Sequence, residues 1–230
     1  MKRVENIFDA VAANYEQELE QGLALTGQNS AFYARERIYT LYTLLSSRFR
    51  DRVRRILDFG CGTGGSRNYF YERWPDADYV GCDPSESSLE VAATRYRQPK
   101  TTWTTSTAGL DKFDLVFTNG VFHHILPENR ASALTLIRSV MNPTGLFAFF
   151  ENNPWNPGTL YIMSRVTFDR DATTISPSMG RRLLEGQGFN PICFSSLFYF
   201  PSAFGLLRPL EKWLRQVPLG GQYLYLCSLQ

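Results

Sequence analysis

Val53-Arg54-Arg55-Ile56-Leu57-Asp58-Phe59-Gly60-Cys61-Gly62-Thr63-Gly64-Gly65 joins a short apolar run to a cluster of glycines. Val53, Ile56, Leu57 and Phe59 read as a buried strand of a parallel sheet, and the glycines as the turn that ends it. A helix is predicted at once after the turn. Residues 66–74 contain no breaker, Phe70 and Trp74 stand four apart on one face, and Pro75 stops the run. Strand, glycine turn and helix make the first unit of a doubly wound sheet that binds a nucleotide at the carboxyl end of its first strand. Glycines suit such a turn because they take positive φ and let a ligand approach the backbone.

Tyr79-Val80-Gly81-Cys82 forms a second strand that ends at Asp83, 18 positions after Gly65. That offset is near the roughly 20 residues at which an acidic side chain accepts ribose hydroxyls. Ser85 caps a helix carrying Leu89, Ala92 and Ala93. Residues 101–106 give a third strand and Phe113 to Asn119 a fourth, with Thr107-Ala108-Gly109-Leu110 between them beside the base. Pro127-Glu128 opens a helix carrying Leu134, Ile137, Val140 and Met141, and Asn142-Pro143-Thr144-Gly145 turns into a fifth strand, Leu146 to Phe150, that delivers Glu151. Strands alternating with helices over this length predict an α/β sheet.

Two cofactor readings fit the glycines. Gly60-x-Gly62-x-x-Gly65 matches the dinucleotide fingerprint, and Tyr96-x-x-x-Lys100 imitates the dyad of short-chain dehydrogenases, although Pro99 interrupts it and it precedes the third strand. An NAD(P)-dependent oxidoreductase is therefore one reading. Against it, Asp58-Phe59-Gly60-Cys61-Gly62-Thr63-Gly64, Asp83-Pro84-Ser85, Phe113-Asp114-Leu115-Val116, the His123-His124 pair and Asn142-Pro143-Thr144-Gly145 resemble, in order and spacing, the successive motifs of class I S-adenosylmethionine-dependent methyltransferases. The resemblance covers about residues 53–151.

That resemblance implies a Rossmann-like, doubly wound, mostly parallel seven-stranded sheet with helices on both faces, its last two strands forming a hairpin. Residues 189–200 are the expected sixth strand, 202–217 a helix and 222–228 the seventh, edge strand. It also implies S-adenosyl-L-methionine as cofactor. Asp83, with Pro84 beside it, would hold the ribose diol. Asp58 and the loop Gly60, Cys61 and Gly62 would hold the methionine part, with Asn119 reaching it from the fourth strand. Many members carry an acidic residue after the third strand to meet the adenine amino group. Thr107 and Ala108 stand there in this chain, so Thr107 or backbone groups must serve. A non-methylating cyclase or binding module on the same fold is a further alternative.

A methyl sulfonium is already activated, so catalysis consists mainly of holding the acceptor in line with the methyl group. A hydroxyl or ammonium acceptor must also lose a proton, which a base near neutral pKa assists by roughly 10² to 10⁴. His123, His124 and Glu151 are the candidates by topology. The chain has no third histidine and no cysteine cluster, so no metal is expected.

Residues 1–50 read as an N-terminal helical cap over the site, preceding a methyltransferase domain at 51–230. Phe8, Val11, Ala12 and Tyr15 fall at helical spacing, Gly22 and Gly27 interrupt, and a second helix follows from Ala31. Tyr15 and Tyr33 are candidates for contact with the acceptor. So is Trp155, in a loop inserted at about 151–175. Aromatics crowd the tail, among them Phe198, Phe200 and Trp213, which suits a hydrophobic or aromatic small-molecule acceptor. Leu206, Leu207, Leu210 and Leu214, opposite Arg208, Lys212 and Arg215, predict an amphipathic helix packed on the sheet rather than on a membrane surface.

The chain has 230 residues and a net charge of +2, too small an imbalance to serve as a footprint for nucleic acid. Stable membrane insertion is not expected, because no run nears the roughly 20 apolar residues of a span. Four cysteines without paired spacing suit a reducing, cytoplasmic compartment. Oligomeric state is not legible from the sequence.

Overall fold

β1 (Arg55–Phe59) lies at the middle of the sheet, parallel to β2 (Asp78–Cys82) on one side and to β4 (Phe113–Asn119) on the other. The computed structural model describes residues 15–169 and 172–230; the predicted helical positions Phe8, Val11 and Ala12 lie outside the described residues, as does the side chain of Tyr15. With β3 (Thr101–Thr104), β5 (Met141–Asn152), β6 (Phe189–Leu197) and β7 (Gln222–Leu229), the strands form one seven-stranded sheet. Its order is β3-β2-β1-β4-β5-β7-β6, with β7 antiparallel to both of its neighbours. The last two strands do form the expected hairpin. β7 is not the edge strand, however, because it enters between β5 and β6 and leaves β6 outermost.

Side chains alternate between the two faces along each strand, as a pleated strand buried on both faces requires. Leu57, Val116, Phe147, Phe149, Tyr223 and Tyr225 join the core on one face, together with Leu134 and Ile137 of α6 (Pro127–Ser139) and Leu184 of α8 (Pro177–Glu185). Their neighbours Ile56, Leu115, Ala148, Phe150, Leu224 and Leu226 join the other. There Phe70 of α4 (Arg67–Arg73) packs against Tyr79 and edge-on to Phe117. α5 (Glu86–Arg95) starts at Ser85, whose hydroxyl accepts from the Ser88 amide at 3.1 Å, as the sequence predicts.

Before β1 come α1 (Tyr15–Leu23), α2 (Ser30–Leu44) and the single turn α3 (Ser47–Arg50). Ile38, Leu41 and Leu45 pack into the same core as Ile56 and Phe70, so α2 is bound to the sheet by apolar burial. Gly22 does not break its helix. A Cβ there would lie 2.6 Å from Val166 Cγ2, so glycine permits close approach between α1 and the segment after β5.

Four further expectations are corrected. The insertion at 151–175 is not a plain loop but carries α7 (Pro157–Arg165), capped by the Asn156 side chain, and a 3₁₀ turn at Thr167–Asp169. Met141 belongs to β5 rather than to the preceding helix, and the strand runs through 142–145 with a register shift opposite Phe113 and Leu115. Asp114 ties this corner together, accepting from the Asn142 side chain at 2.7 Å and from the Arg54 and Arg55 amides at 2.8 and 3.1 Å. The expected helix at 202–217 is instead a 3₁₀ segment, Ser202–Leu210, followed by the short α9 (Glu211–Leu214). Pro209 donates no amide hydrogen, and Phe204 leaves helical dihedrals, so a continuous α-helical ladder does not form. The predicted packing of this segment on the sheet fails as well, since Leu206 is 97% exposed and Trp213 77%.

Candidate functional site

The glycine turn after β1 holds Gly60, Gly62 and Gly64 at φ of 76°, 50° and 78°, a region closed to most side chains. The position of Gly62 is the informative one. A Cβ built there meets nothing within 4 Å, so the space above the loop is open to a ligand. The turn is anchored to the neighbouring strand by the amides of Gly60 and Cys61, which donate to the Cys82 carbonyl at 2.7 and 3.2 Å. Asp83 follows Cys82 directly. Its carboxylate accepts from the Gly62 amide at 2.8 Å and from the Ser85 amide at 2.9 Å. One acidic side chain thus joins the tips of β1 and β2, with Pro84 inside the turn it closes.

Asp58 lies within β1 and is buried, accepting from the Tyr79 hydroxyl at 2.6 Å. Burial raises its carboxyl to about 7, against the Tyr79 hydrogen bond and with the nearby Asp83 charge adding to the rise. Thr107, after β3, is buried, and its hydroxyl has no hydrogen-bond partner among the described residues. A buried polar atom without a partner beside an open loop is where a ligand hydrogen bond belongs. Ala108 continues the same loop, held by its amide to Ser106 Oγ. Together, the open space at Gly62 and the orphan hydroxyl of Thr107 fit a nucleoside laid across β1, β2 and β3. Asn119 ends β4 and meets the Gln222 side chain at 3.5 Å.

The dehydrogenase dyad does not assemble. Tyr96 terminates α5, while the Lys100 ammonium bonds the Asp76 carbonyl at 2.8 Å on the amino-terminal side of β3. A β7 inserted antiparallel between β5 and β6 also departs from the all-parallel six-stranded order of dinucleotide dehydrogenases.

At the carboxyl ends of β5 and β6 and the amino end of β7 lies a cavity of about 590 Å³. Phe32 and Tyr33 of α2, Met163 of α7, Val166, and Leu197 and Phe198 at the end of β6 supply its apolar wall. Tyr33 stands edge-on to Phe198 with ring centroids 4.8 Å apart. Arg208, Lys212 and Arg215 line another side. Glu211, also on the wall, turns its charge inward and accepts from the Tyr199 and Phe200 amides. Asn152 and Gln222 close the sheet end, linked to each other at 2.8 Å, and Arg37 of α2 donates to Gln222 at 3.0 Å. Trp155 is not among the lining residues and is 46% exposed.

Glu151, His123 and His124 do come together, joined by Asp169, which the sequence analysis missed. Glu151 is fully buried and accepts from the Phe122 amide at 2.7 Å with one oxygen and meets His123 Nδ1 at 2.6 Å with the other. Asp169 Oδ1 lies 3.5 Å from His123 Nε2 and 3.3 Å from His124 Nε2. Burial would lower the His123 imidazole, yet the Glu151 charge and the Asp169 contact outweigh it and push it up to about 10. Burial likewise opposes ionisation of Asp169, but the two histidines hold its carboxyl near 2. His124 is lowered by burial and by the charge of His123. The signal for Asp169 was absent from the sequence because it sits alone in the predicted loop. The Thr173 amide binds the His123 carbonyl at 2.9 Å, and Arg130 bonds the carbonyls of Phe122, Ile125 and Thr173, so two segments far apart in sequence meet here.

Residues 57–147 match a family model described as a methyltransferase domain. Trans-aconitate 2-methyltransferase of Escherichia coli O1:K1 / APEC is 28% identical over 162 residues, 67% of this chain and 60% of that protein. The protein of the same name in Azoarcus sp. (strain BH72) is 32% identical over 120 residues, 50% of this chain and 46% of that one. The chain thus spans about 60% or less of the length of these relatives. Among solved structures, the plantazolicin methyltransferase BpumL in complex with a monoazolic desmethylPZN analog and SAH aligns over 100% of this chain and 97% of its own. Its TM-score is 0.63 at 17% identity. A SAM dependent methyltransferase from Archaeoglobus fulgidus aligns over 86% and 94%, with a TM-score of 0.61 at 17% identity.

Proposed function

We propose that this chain, which carries a class I S-adenosylmethionine-dependent methyltransferase domain, transfers the sulfonium methyl group to a small molecule held in the 590 Å³ cavity. The observation that carries the reading is the contact of Asn119, at the tip of β4 beside β1, with Gln222 of the cavity wall at 3.5 Å, which links two spaces. One lies open above Gly62 at the tips of β1 and β2; the other is walled by α2, α7 and the segment after β6. Asp83 and Pro84 hold the ribose in this reading, Thr107 and Ala108 the adenine. Asp58, Gly60, Cys61 and Gly62 hold the methionine part, with Asn119 at its far side. The orphan hydroxyl of Thr107 supports the adenine assignment.

The acceptor has an apolar body and an anionic group. Phe32, Tyr33 and Phe198 suit the first, and Arg208, Lys212 and Arg215 the second. The relatives are named for trans-aconitate, a carboxylic acid, which supports an anionic acceptor. A carboxylate is already ionised at neutral pH, so it needs no base and only has to be held in line with the methyl group. Glu151 and His123 then serve as positioning residues, since each already engages the other and neither is exposed.

Titration calorimetry with S-adenosylhomocysteine and with NADH, followed by mass spectrometry of candidate acids incubated with S-adenosylmethionine, tests the proposal. Tight binding of S-adenosylhomocysteine and a product heavier by one methylene are expected. Selective binding of NADH would overturn the cofactor, and transfer only to uncharged acceptors would overturn the acceptor class.

A further inference from the structure

We infer that His123, His124 and Asp169 form a binding site for a divalent first-row transition-metal ion, with Glu151 orienting His123 behind it. Three ligand atoms, one from each residue, lie within 4.8 Å of one another, with His123 buried and His124 and Asp169 half-buried beside the cavity that Asp169 helps to line.

The first argument is the tautomer. Glu151 Oε2 lies 2.6 Å from His123 Nδ1, so the carboxylate accepts a hydrogen bond from Nδ1–H and makes Nε2 the atom that gives up its proton and offers its lone pair to a metal. The other oxygen of Glu151 is fixed by the Phe122 amide, which stops the carboxylate from turning away. A carboxylate behind a ligating histidine is the usual device for aiming that histidine at a metal.

The second argument is the spacing. Nε2 of His123 and Nε2 of His124 converge on one oxygen of Asp169, at 3.5 and 3.3 Å. Both separations stand at the long end for a charge-assisted hydrogen bond. They match the edges of a tetrahedron whose centre lies about 2.0–2.2 Å from nitrogen and oxygen ligands, which are about 3.3–3.5 Å long. The ring centroids of the two histidines lie 4.1 Å apart, so the two imidazoles flank the same carboxylate oxygen.

The third argument is access. Glu151 and His123 close the site on the sheet side, whereas Asp169 borders the cavity, so a remaining coordination position faces the cavity. Two imidazole nitrogens and one carboxylate suit zinc or ferrous iron better than calcium or magnesium, which prefer all-oxygen sites. An oxygen of the acceptor fits the open position. That last step rests on the proposed function, while binding of the ion does not.

The test uses the tag-free full chain, stripped with chelator and titrated with Zn²⁺ by calorimetry and with Co²⁺ by visible absorption. One equivalent should bind, and Co²⁺ should show the intense d–d bands of a low-coordinate nitrogen and oxygen site. Glu151→Gln should weaken Zn²⁺ by about 10- to 100-fold, and the double variant His124→Ala, Asp169→Asn should abolish the Co²⁺ bands. Retained binding of S-adenosylhomocysteine by the double variant would show that it folds and keep the result interpretable. Should the double variant not fold, His124→Gln alone carries the test, and its Co²⁺ spectrum should shift or vanish. Absence of stoichiometric metal binding by the wild-type chain would overturn the site and leave a proton between His123 and Asp169. An unchanged Co²⁺ spectrum in the variants would overturn it by placing the ion elsewhere. Methyl transfer that fails while Zn²⁺ still binds would refute the proposed function and not the metal site.

Discussion

The half of the sheet formed by β1, β2 and β3 and the half formed by β5, β7 and β6 present ligand spaces of different construction. The first is made from backbone: glycines at positive φ, two amides on the Cys82 carbonyl, and Asp83 bridging Gly62 and Ser85 within a few residues of one another. The second is made from side chains brought from Tyr33, Met163, Phe198 and Arg208, which span most of the chain. A space built from backbone tolerates little substitution and serves one ligand. One built from side chains changes its ligand by point substitution without disturbing the sheet.

The largest effect that would sharpen this contrast lies in Asp58. Its folded carboxyl stands at about 7, above the ordinary value of 3.8, so the fold binds that proton more tightly than the unfolded chain. Stability is therefore greatest below the unfolded value, falls as pH rises toward 7, and levels off above it. Asp58→Asn removes this dependence and should stabilise the free protein above pH 7 by up to about 4 kcal/mol, while weakening cofactor binding. Denaturant melts at pH 5 and pH 8 check it, and a wild-type protein equally stable at both would refute it.

Next is Asp83→Ala, expected to weaken S-adenosylhomocysteine binding by about 1.5–3 kcal/mol with a charged hydrogen-bonding group lost. Calorimetry reads this directly, and unchanged affinity would remove Asp83 from the site. On the other half, Tyr33→Leu should raise the acceptor KM by about 1 kcal/mol in binding, the size of a lost aromatic pair, with cofactor affinity unaltered. If cofactor affinity falls instead, the two spaces are not separable. The smallest effect is Gly22→Ala, where overpacking against Val166 costs about 1–3 kcal/mol and helix propensity returns about 1 kcal/mol. A modest fall in thermal stability, with a larger rise in acceptor KM than in cofactor Kd, is the expected pattern.

The same contrast explains what the sequence made legible. Gly60, Gly62 and Asp83 are readable because their roles follow from local spacing, and Ser85 and Pro127 begin helices where their chemistry requires it. Asp169 is unreadable because its meaning depends on meeting His123 across residues of intervening chain. The helix expected at 202–217 follows an apolar periodicity that is present, but Pro209 and the dihedrals of Phe204 defeat it. The insertion after β5 reads as a loop from its Asn and Pro content, whereas Asn156 and Pro157 there start a helix. The interior position of β7 follows from no local pattern, since edge and internal strands of a hairpin carry similar runs of apolar residues.

That interior position bears on how the protein is made. Seven consecutive residues of β5 pair with β7, so until residues 222–229 have been synthesised, β5 presents an open apolar border to the cell. Growth of the chain at about 5–20 residues per second leaves this border bare after β1 to β4 have emerged. The newborn polypeptide is then most prone to stick to its own kind, and its survival turns on how soon the final strand slots into the gap.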